Sequence, residues 1–574
     1  MSENPESQSM NDGHRSPVPL SRRRILQVVS AAGVGSATLH RALAQEATQT
    51  GTLTVDQIAN AEWVAGITLS EAERAALSSH LQKIQRDAEQ IRRISIESDI
   101  IPAVRFDPEI ATPDSRVRSA KMPDWLTVPA DLTPAIQPAD AAPENLAFLP
   151  IRELGRRLRA KEITSVQLTE FCLARLKKHD PVLNCVVTLT EDLGLEQARR
   201  ADAELAAGRD RGPLHGIPWG AKDLIAVSGY ATTWGAPQFK DQHIRQTAAV
   251  ARRLENAGAV LAAKLALGAL AMGDEWFLGQ TKNPWNPEQG SSGSSAGSAS
   301  AVAAGLVPFA IGSETLGSII SPAKRCGVTG LRPTFGRVSR AGCMTLSWTM
   351  DKLGPLARTV DDCGTVLSAI QGSDPADPTS VDRWYAWPVA ADLSRLRIGQ
   401  VTNAQTEEAE QAALDALKAL GATIVPIELP RAYPEWALAA MLDVEAAESF
   451  HRLSATNDLE GINAWGDIFR RAHFVSAIDF LHAQRARFQL MVEMARVFEQ
   501  VDLYVGGGDL GITNLTGHPM IALPVLMKEV KPQPRAICST LTGNLYDEAS
   551  LLAVARQIEA HVDVAKFRPT PFSE

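Results

Sequence analysis

Residues 290–305 read GSSGSSAGSASAVAAG, and residues 306–322 continue with LVPFAIGSETLGSIISP. A stretch so rich in glycine and serine is ordinarily a flexible linker. Here it leads directly into the run Ala-Val-Ala-Ala-Gly and then an apolar, strand-like run, so a linker would be embedded in a packed core. Small residues in that setting let two backbones approach closely and present N–H groups to a ligand. The stretch therefore predicts a buried binding site rather than a tether.

Helical and strand-like segments alternate around this stretch. Residues 151–158 and 165–178 are amphipathic at helical spacing, whereas 260–263 have the apolar composition of a buried strand. The alternation continues to Ile370 and favours an α/β fold, in which a sheet is covered by helices. Further helices are predicted at 191–207, 247–257, 404–420, 436–453, 475–500 and 546–559, and further strands at 216–229, 503–505 and 520–523.

The composition is that of an ordinary soluble globular protein, since 45% of the 574 residues are hydrophobic and 21% are charged. This length allows one large catalytic body with an appendage. The formal net charge is -9 and no Lys/Arg-rich run lies beyond the N-terminal region, which argues against a nucleic-acid partner. The six cysteines are scattered without a C-x-x-C pair, so we expect buried thiols and no metal site.

The N-terminal region has the layout of an export signal. Residues 21–27 read SRRRILQ, an apolar stretch rich in small residues follows over 25–39, and Ala42-Leu43-Ala44 comes next. A basic region, a short apolar region and a small-x-small site in this order are typical of a secretory signal. The run SRRRIL is similar to the twin-arginine signal, with Ile25 in place of the usual Phe. We therefore expect residues 1–44 to be a twin-arginine signal peptide and the mature protein to be periplasmic or otherwise exported. No stable membrane span is expected, because the apolar stretch is too short.

Residues 45–145 differ from the rest of the chain. The segment 69–94 is charged, with apolar residues at helical spacing, and Ser70 is a suitable N-cap. Beyond Pro102 the sequence becomes rich in proline and alanine. We interpret 45–145 as a helical appendage with a Pro/Ala-rich linker, and 146–568 as the catalytic domain.

Three blocks of the chain resemble the amidase signature family. Residues 216–223 read GIPWGAKD and are similar to the family's lysine block, 293–299 read GSSAGSA and are similar to its glycine–serine block, and 312–319 read GSETLGSI and are similar to its nucleophile block. Supporting similarities lie at 326–334, 354–358, 514–519 and 547–549. The resemblance covers about residues 146–562. It implies the amidase signature fold, a large mixed β-sheet covered by helices on both faces, here with an N-terminal helical appendage.

By this resemblance the catalytic residues are Lys222, Ser294 and Ser318. Ser318 is the nucleophile, and Ser294 is a relay that follows a cis peptide bond. A serine hydroxyl is a weak nucleophile until a base removes its proton. Lysine can be that base only when it is neutral, so burial must lower its pKa well below about 10.4. The apolar residues at 216–219 and 224–225 supply such surroundings.

The backbone of the nucleophile block is expected to stabilise the transition state. The resemblance implies an oxyanion hole formed by the N–H groups of Thr315, Leu316, Gly317 and Ser318. The expected reaction is attack on an amide carbonyl, release of the amine from an acyl-Ser318 intermediate, and hydrolysis by water. It needs a small-molecule amide substrate but no cofactor and no metal. Trp276 and Phe277 either belong to the core or line the acyl pocket together with Leu316.

This chain departs from the family pattern around the nucleophile. Leu316 stands where the family usually has glycine, Ile320 where it has arginine, and Glu314 where it has aspartate. Leucine cannot adopt a positive φ as cheaply as glycine, but it keeps its N–H, and its side chain is expected to narrow the acyl pocket. Loss of the arginine removes the partner expected for Glu314. Ser292 and Ala296 also stand where glycine is common, and both are small enough to be tolerated.

Residues 293–297 also spell G-x-S-x-G, the nucleophile elbow of α/β-hydrolases, with Ser295 as the nucleophile. That elbow directly follows a strand. We expect no strand at 283–287, which read NPWNP, so this alternative is disfavoured.

The function predicted from these residues is hydrolysis of a carboxylic amide C–N bond by an amidase acting on linear amides. An amidotransferase-type glutaminase subunit shares all of these blocks, although export and the absence of a basic patch disfavour it. A urethane or ester hydrolase of the same fold and a periplasmic binding protein without turnover are the remaining alternatives. Formation of a homo-oligomer stays open.

Overall fold

The computed structural model describes residues 54–65, 68–78, 106–110, 121–128, 143–564 and 566–572. These residues belong to two compact units, Met1–Ile94 and Ser95–Glu574. The predicted signal at 1–44 lies outside the described residues, and export stays a prediction. The predicted appendage at 45–145 extends across the division, so its second part belongs to the unit that carries the catalytic blocks.

The first unit is helical where it is described. Helix α1 is Val55–Ala65, and residues 71–78 are also helical. Arg74 joins the two helices by donating hydrogen bonds of 2.5 and 3.0 Å to the carboxylate of Glu62. The helix predicted at 69–94 is therefore present at 71–78, and its remainder lies outside the described residues.

An eleven-stranded mixed sheet dominates the second unit. Its strands are β1 Val186–Leu189, β2 Pro218–Lys222, β3 Val260–Leu265, β4 Phe309–Glu314, β5 Thr329–Arg332, β6 Lys352–Ala357, β7 Arg397–Val401, β8 Thr423–Ile427, β9 Leu503–Val505, β10 Met520–Lys528 and β11 Arg535–Gly543. Their order across the sheet is β8-β7-β9-β11-β10-β5-β6-β4-β2-β3-β1. β2 is parallel to β3 and β4, and β7 is parallel to β8 and β9. The other neighbouring strands are antiparallel, so the expected mixed sheet is confirmed.

Both faces of this sheet are covered by apolar residues. In β10, Ile521 and Leu523 join the larger hydrophobic cluster, whereas Met520 and Ala522, which alternate with them, join a second cluster. Successive residues of a strand point to opposite faces, so the two clusters lie on opposite sides of the sheet. A sheet buried on both faces is the architecture that the sequence predicts.

Helices flank the sheet in the second unit. They are α2 Ile151–Arg159, α3 Ser165–Leu183, α4 Glu191–Ala206, α5 Ala249–Asn256, α6 Ala296–Ala303, α7 Ile320–Cys326, α8 Val360–Ile370, α9 Glu408–Ala419, α10 Glu435–Leu438, α11 Ala440–Ser449, α12 His451–Thr456, α13 Trp465–Ala472, α14 Ala477–Gln500, α15 Leu510–Thr516 and α16 Glu548–Val562. Most predicted helices are confirmed within a few residues. The segment predicted as helical at 436–453 is divided among α10, α11 and α12, and the strand-like run at 216–229 forms a strand only at β2.

Three short ribbons lie outside the main sheet. They pair Leu126–Thr127 with Ala390–Ala391, Glu275–Trp276 with Gly279–Gln280, and Lys282–Asn283 with Asn286–Gly290. The last ribbon shows that the expectation of no strand at 283–287 is wrong, because Asn286–Gly290 is extended and paired. Pro287 is tolerated there because a two-stranded ribbon leaves its other edge free.

The glycine–serine stretch forms the tightest packing near the site. All eight residues of α6 are buried. A Cβ at Gly297 would lie 2.5 Å from both the Ala266 nitrogen and the Cys185 carbonyl oxygen, so only glycine fits there. The close backbone approach predicted for this stretch is confirmed.

All six cysteines lie within the described residues, where they are buried and form no disulfide bond. Among the described residues, no helix combines the length and apolar character needed to cross a membrane.

Candidate active site

Lys222, the last residue of β2, has its side chain fully buried. Its Nζ lies 2.8 Å from Ser294 Oγ, 3.1 Å from Ser295 Oγ, 2.9 Å from Ser313 Oγ and 3.3 Å from the Ser313 carbonyl oxygen. No carboxylate among the described residues forms an ion pair with this amine. The amine is therefore surrounded by neutral oxygen atoms.

Burial is the dominant influence on this amine. It lowers the pKa of Lys222 to about 7, although the negative charges of Asp351 and Glu314 act in the opposite direction. A lysine with a pKa near 7 is substantially neutral at neutral pH and can accept a proton. This is the property that the sequence required of the base.

Ser294 and Ser295 lie where the chain turns into α6. The Gly293–Ser294 peptide bond is cis, and Ser292 before it has a φ of +61°. A positive φ is the conformation that glycine adopts most easily, which explains why glycine is common at this position. The Ser292 N–H donates a 2.8 Å hydrogen bond to Asp274, a contact that the sequence did not reveal.

The Ser295 hydroxyl is fully used inside the protein. It donates to the Ser313 carbonyl at 3.1 Å and accepts from the Ser313 N–H at 3.1 Å and from Lys222. Its side chain is also buried. Ser295 is thus placed as a partner of the lysine rather than as an accessible nucleophile.

Ser318 lies at the end of a tight turn between β4 and α7. We call residues 315–318 the 315–318 turn. None of its four backbone N–H groups, nor the Ser318 hydroxyl, donates a hydrogen bond to another described residue. Gly317 has a φ of +86°, whereas Leu316 does not adopt a positive φ. The leucine is therefore accommodated without the strain that its replacement of glycine suggested, and the turn presents a row of unused donors.

Ser318 and Ser294 are neighbours through the backbone, because the Ser295 N–H donates a 3.0 Å hydrogen bond to the Ser318 carbonyl. Among the described hydrogen bonds, none joins Ser294 Oγ to Ser318 Oγ. Catalytic hydrogen bonds are often formed only when substrate is bound, and the Ser318 hydroxyl has no other partner to hold it. The structure thus brings Lys222 to Ser294, and the relay onward to Ser318 stays a prediction.

Glu314 has a different partner from the one the family pattern suggested. Arg332 of β5 donates a 2.8 Å hydrogen bond to its carboxylate, and Asn514 of α15 donates another of 2.9 Å. The N–H groups of Ile319 and Ile320 add bonds of 2.8 and 3.0 Å. The expectation that Glu314 lacks a partner is wrong, because Arg332 replaces the missing arginine from another strand.

This network keeps the carboxylate charged. Burial alone would raise the pKa of Glu314, but the positive charge of Arg332 and the hydrogen bonds outweigh it and lower the pKa to about 2. The ionised carboxylate binds the N–H groups directly after Ser318. It leaves those of the 315–318 turn available.

A second carboxylate holds the other side of the turn. The Thr315 hydroxyl donates a 2.6 Å hydrogen bond to Asp351, which also accepts from the N–H groups of Leu346 and Ser347 at 2.8 and 3.0 Å. Sequence reasoning missed Asp351, although it lies directly before β6. A cavity of about 160 Å³ adjoins these residues, and its lining includes Ser313, Thr315 and Asp351.

The predicted pocket residues do not line this cavity. Trp276 is buried and packs edge-on against Phe277 with ring centroids 4.9 Å apart. Leu316 is partly buried against the core. Their role in substrate binding stays a prediction.

Comparison with known proteins agrees with this geometry. The amidase family profile matches residues 167–506, which is more than half of the chain. The chain belongs to the amidase signature family. It is therefore an enzyme of a family of hydrolases, and the fold predicted from the three blocks is confirmed.

The amidase is similar to two glutamyl-tRNA(Gln) amidotransferase A subunits. It is 33% identical to that of Methylococcus capsulatus over 477 residues, which covers 72% of this chain and 97% of the relative. It is 34% identical to that of Azotobacter vinelandii over 478 residues, covering 72% of this chain and 98% of the relative. Among solved structures it resembles the peptide amidase from Stenotrophomonas maltophilia, with 29% identity, a TM-score of 0.64, and coverage of 73% of this chain and 98% of the other.

Proposed function

We propose that this enzyme hydrolyses the C–N bond of linear carboxylic amides through an acyl-Ser318 intermediate, after export from the cytoplasm. The observation that carries the proposal is the buried amine of Lys222. It has a pKa near 7 and no carboxylate partner, and it lies 2.8 Å from Ser294 Oγ. A buried lysine without a counter-ion is expensive to maintain and is typical of a functional base.

The proton steps follow from this arrangement. Neutral Lys222 accepts a proton from Ser294 as Ser294 takes one from Ser318, whose oxygen forms a bond to the amide carbonyl carbon. The carbonyl oxygen becomes an oxyanion that the N–H groups of the 315–318 turn can bind. The proton returns through Ser294 to the departing amine as the C–N bond breaks. Water then attacks the acyl-Ser318 ester by the same route and releases the carboxylic acid.

Labelling with a fluorophosphonate tests the nucleophile. Wild type and the control Ser368→Ala, whose site lies on α8 away from the active site, should both be labelled and should hydrolyse members of an amide panel. Ser318→Ala should not be labelled, and Lys222→Ala should be labelled far more slowly. Labelling that persists in Ser318→Ala and disappears in Ser295→Ala would overturn the proposal and assign the nucleophile to Ser295.

A glutaminase subunit is the second candidate, because the two curated relatives described above carry that name. The two candidates differ in substrate and in location. Ammonia release from L-glutamine by cytoplasmic protein would favour the subunit. Hydrolysis of other amides by exported protein with a mature N-terminus near residue 45 would favour the amidase. The double variant Arg22→Lys/Arg23→Lys is the matched control for export, since it keeps the charge and should retain the protein in the cytoplasm.

A further inference from the structure

A segment that precedes the family match packs directly on the catalytic body. We call residues 106–110 the Phe106 segment, and Pro108 and Glu109 within it are buried. Glu109 forms an ion pair with Arg383. The ring of Phe106 packs edge-on against Phe335, with the centroids 5.1 Å apart.

Gly517 makes room for this segment. It follows α15 with a φ of +80°, and a Cβ there would lie 3.0 Å from Pro108 Cβ and 3.2 Å from Phe106 Cε1. A side chain at this position would be strained by the backbone and would press on the segment. The contact surface therefore depends on a glycine in the loop between α15 and β10.

Phe106 also covers a buried arginine. The guanidinium carbon of Arg487 lies 3.6 Å from the centre of the Phe106 ring, which is cation–π contact. Arg487 donates to the Leu515 carbonyl at 2.5 Å, to Thr349 Oγ1 at 2.9 Å and to the Thr349 carbonyl at 2.9 Å. One side chain thus ties two loops together beneath the Phe106 ring.

Each of these loops leads to the 315–318 turn. Asn514, next to Leu515, donates to Glu314, which binds the N–H groups just after Ser318. Asp351, two residues after Thr349, accepts the Thr315 hydroxyl. Arg487 therefore sets the spacing of the two carboxylates that hold the two ends of the turn.

We propose that Phe106 is a positioning residue, which fixes Arg487 and through it the alignment of the 315–318 turn. The family profile begins only at residue 167, and the two curated relatives leave more than a quarter of this chain uncovered. The proposal rests on the proposed function, because the turn supplies the donors for the oxyanion. Misalignment of such donors lowers kcat more than it raises KM, since they act in the transition state.

The test compares two anchor points of the same N-terminal region. Residues 121–128 provide the control, because Trp125 Nε1 donates a 3.0 Å hydrogen bond to Ser550 Oγ and has no contact with Arg487. Phe106→Ala should lower kcat and the rate of fluorophosphonate labelling about tenfold with KM nearly unchanged. Phe106→Tyr keeps the aromatic face and should restore kcat to within about twofold of wild type. Trp125→Ala should lower Tm but keep kcat within about twofold.

Wild-type kcat in Phe106→Ala, or an equal loss in Trp125→Ala, would overturn the inference. A wild type that neither hydrolyses amides nor reacts with the fluorophosphonate would refute the proposed function instead. Hydrogen exchange then decides the inference without activity. Faster exchange of the amides at 315–320 in Phe106→Ala than in Trp125→Ala supports it, and equal exchange overturns it.

Discussion

Lys222 and Lys264 lie on neighbouring parallel strands, β2 and β3, and the side chains of both are fully buried. Lys264 Nζ is 2.6 Å from Asp223 Oδ1 and forms an ion pair with it. Lys222 contacts only serine oxygens, and burial lowers its pKa to about 7. The two amines are equally buried, so the presence of a counter-ion distinguishes a structural lysine from a candidate base.

Chain direction explains why Asp223 does not neutralise the residue beside it. Successive residues of an extended strand point to opposite faces, so Lys222 and Asp223 point away from each other at the end of β2. Asp223 is thereby directed to Lys264, one strand away, and the Thr233 N–H and hydroxyl bind its other oxygen. The sequence pair Lys-Asp thus separates the base from the nearest carboxylate.

The largest expected effect comes from removing the unpaired amine. Lys222→Met has a similar volume but cannot accept a proton, so kcat for amide hydrolysis should fall about 10⁴-fold. The free energy of unfolding should be unchanged or higher, because a buried polar group without a counter-ion is replaced by an apolar one. Steady-state kinetics and urea unfolding of the purified variant measure both quantities.

Lys264→Met is the matched control and should behave in the opposite way. It leaves Asp223 buried without its partner and should lower the free energy of unfolding by about 3–5 kcal/mol. The kcat per folded molecule should stay within about tenfold of wild type, because Lys264 does not touch the reacting groups. Equal losses of kcat in the two variants would remove the distinction between the two lysines.

The pH dependence should report the same amine. Only neutral Lys222 accepts a proton, and its pKa is about 7. As the pH falls below this value, kcat/KM should therefore decrease about tenfold per pH unit. The charge of Asp351 raises the pKa of Lys222, so Asp351→Asn should lower that pKa further and move the acid limb to lower pH.

Lys264→Met again provides the comparison, since its acid limb should stay near pH 7. A rate that is constant from neutral pH down to pH 4 would exclude Lys222 as the base. A limb that moves to higher pH in Asp351→Asn would contradict the assignment of that charge.

The sequence was most informative where the pattern is local. The run at 503–505 coincides with β9, because a short apolar strand needs only its own residues to be recognised. The boundaries within 436–453 were missed because α10, α11 and α12 pack at angles that tertiary contacts impose. The ribbon at Asn286–Gly290 was missed because proline disfavours strands in general but not at a free edge.

At the site, motif residues were recognisable but their partners were not. Lys222, Ser294 and Ser318 occur in blocks that can be read from the chain. Arg332 was quoted within such a block, yet its pairing with Glu314 depends on β4 and β5 lying on either side of β6. Phe106 lies in a segment read as linker, and no local pattern could connect it with Arg487.

The smallest expected effect concerns the hydroxyl groups that surround each amine. Ser313 Oγ lies 2.9 Å from Lys222 Nζ, and Thr232 Oγ1 lies 3.0 Å from Lys264 Nζ. Ser313→Ala removes one neutral hydrogen bond from the base and should lower kcat about fivefold, since such a bond contributes about 1 kcal/mol. Thr232→Val removes the corresponding bond from the ion-paired lysine and should leave kcat within about twofold. Parallel kinetics on the two variants measure the difference, and the free energy of unfolding serves as the check that both are folded. If Thr232→Val slowed hydrolysis as much as Ser313→Ala, the hydroxyl groups would act through packing of the sheet, and the environment of Lys222 would no longer be special.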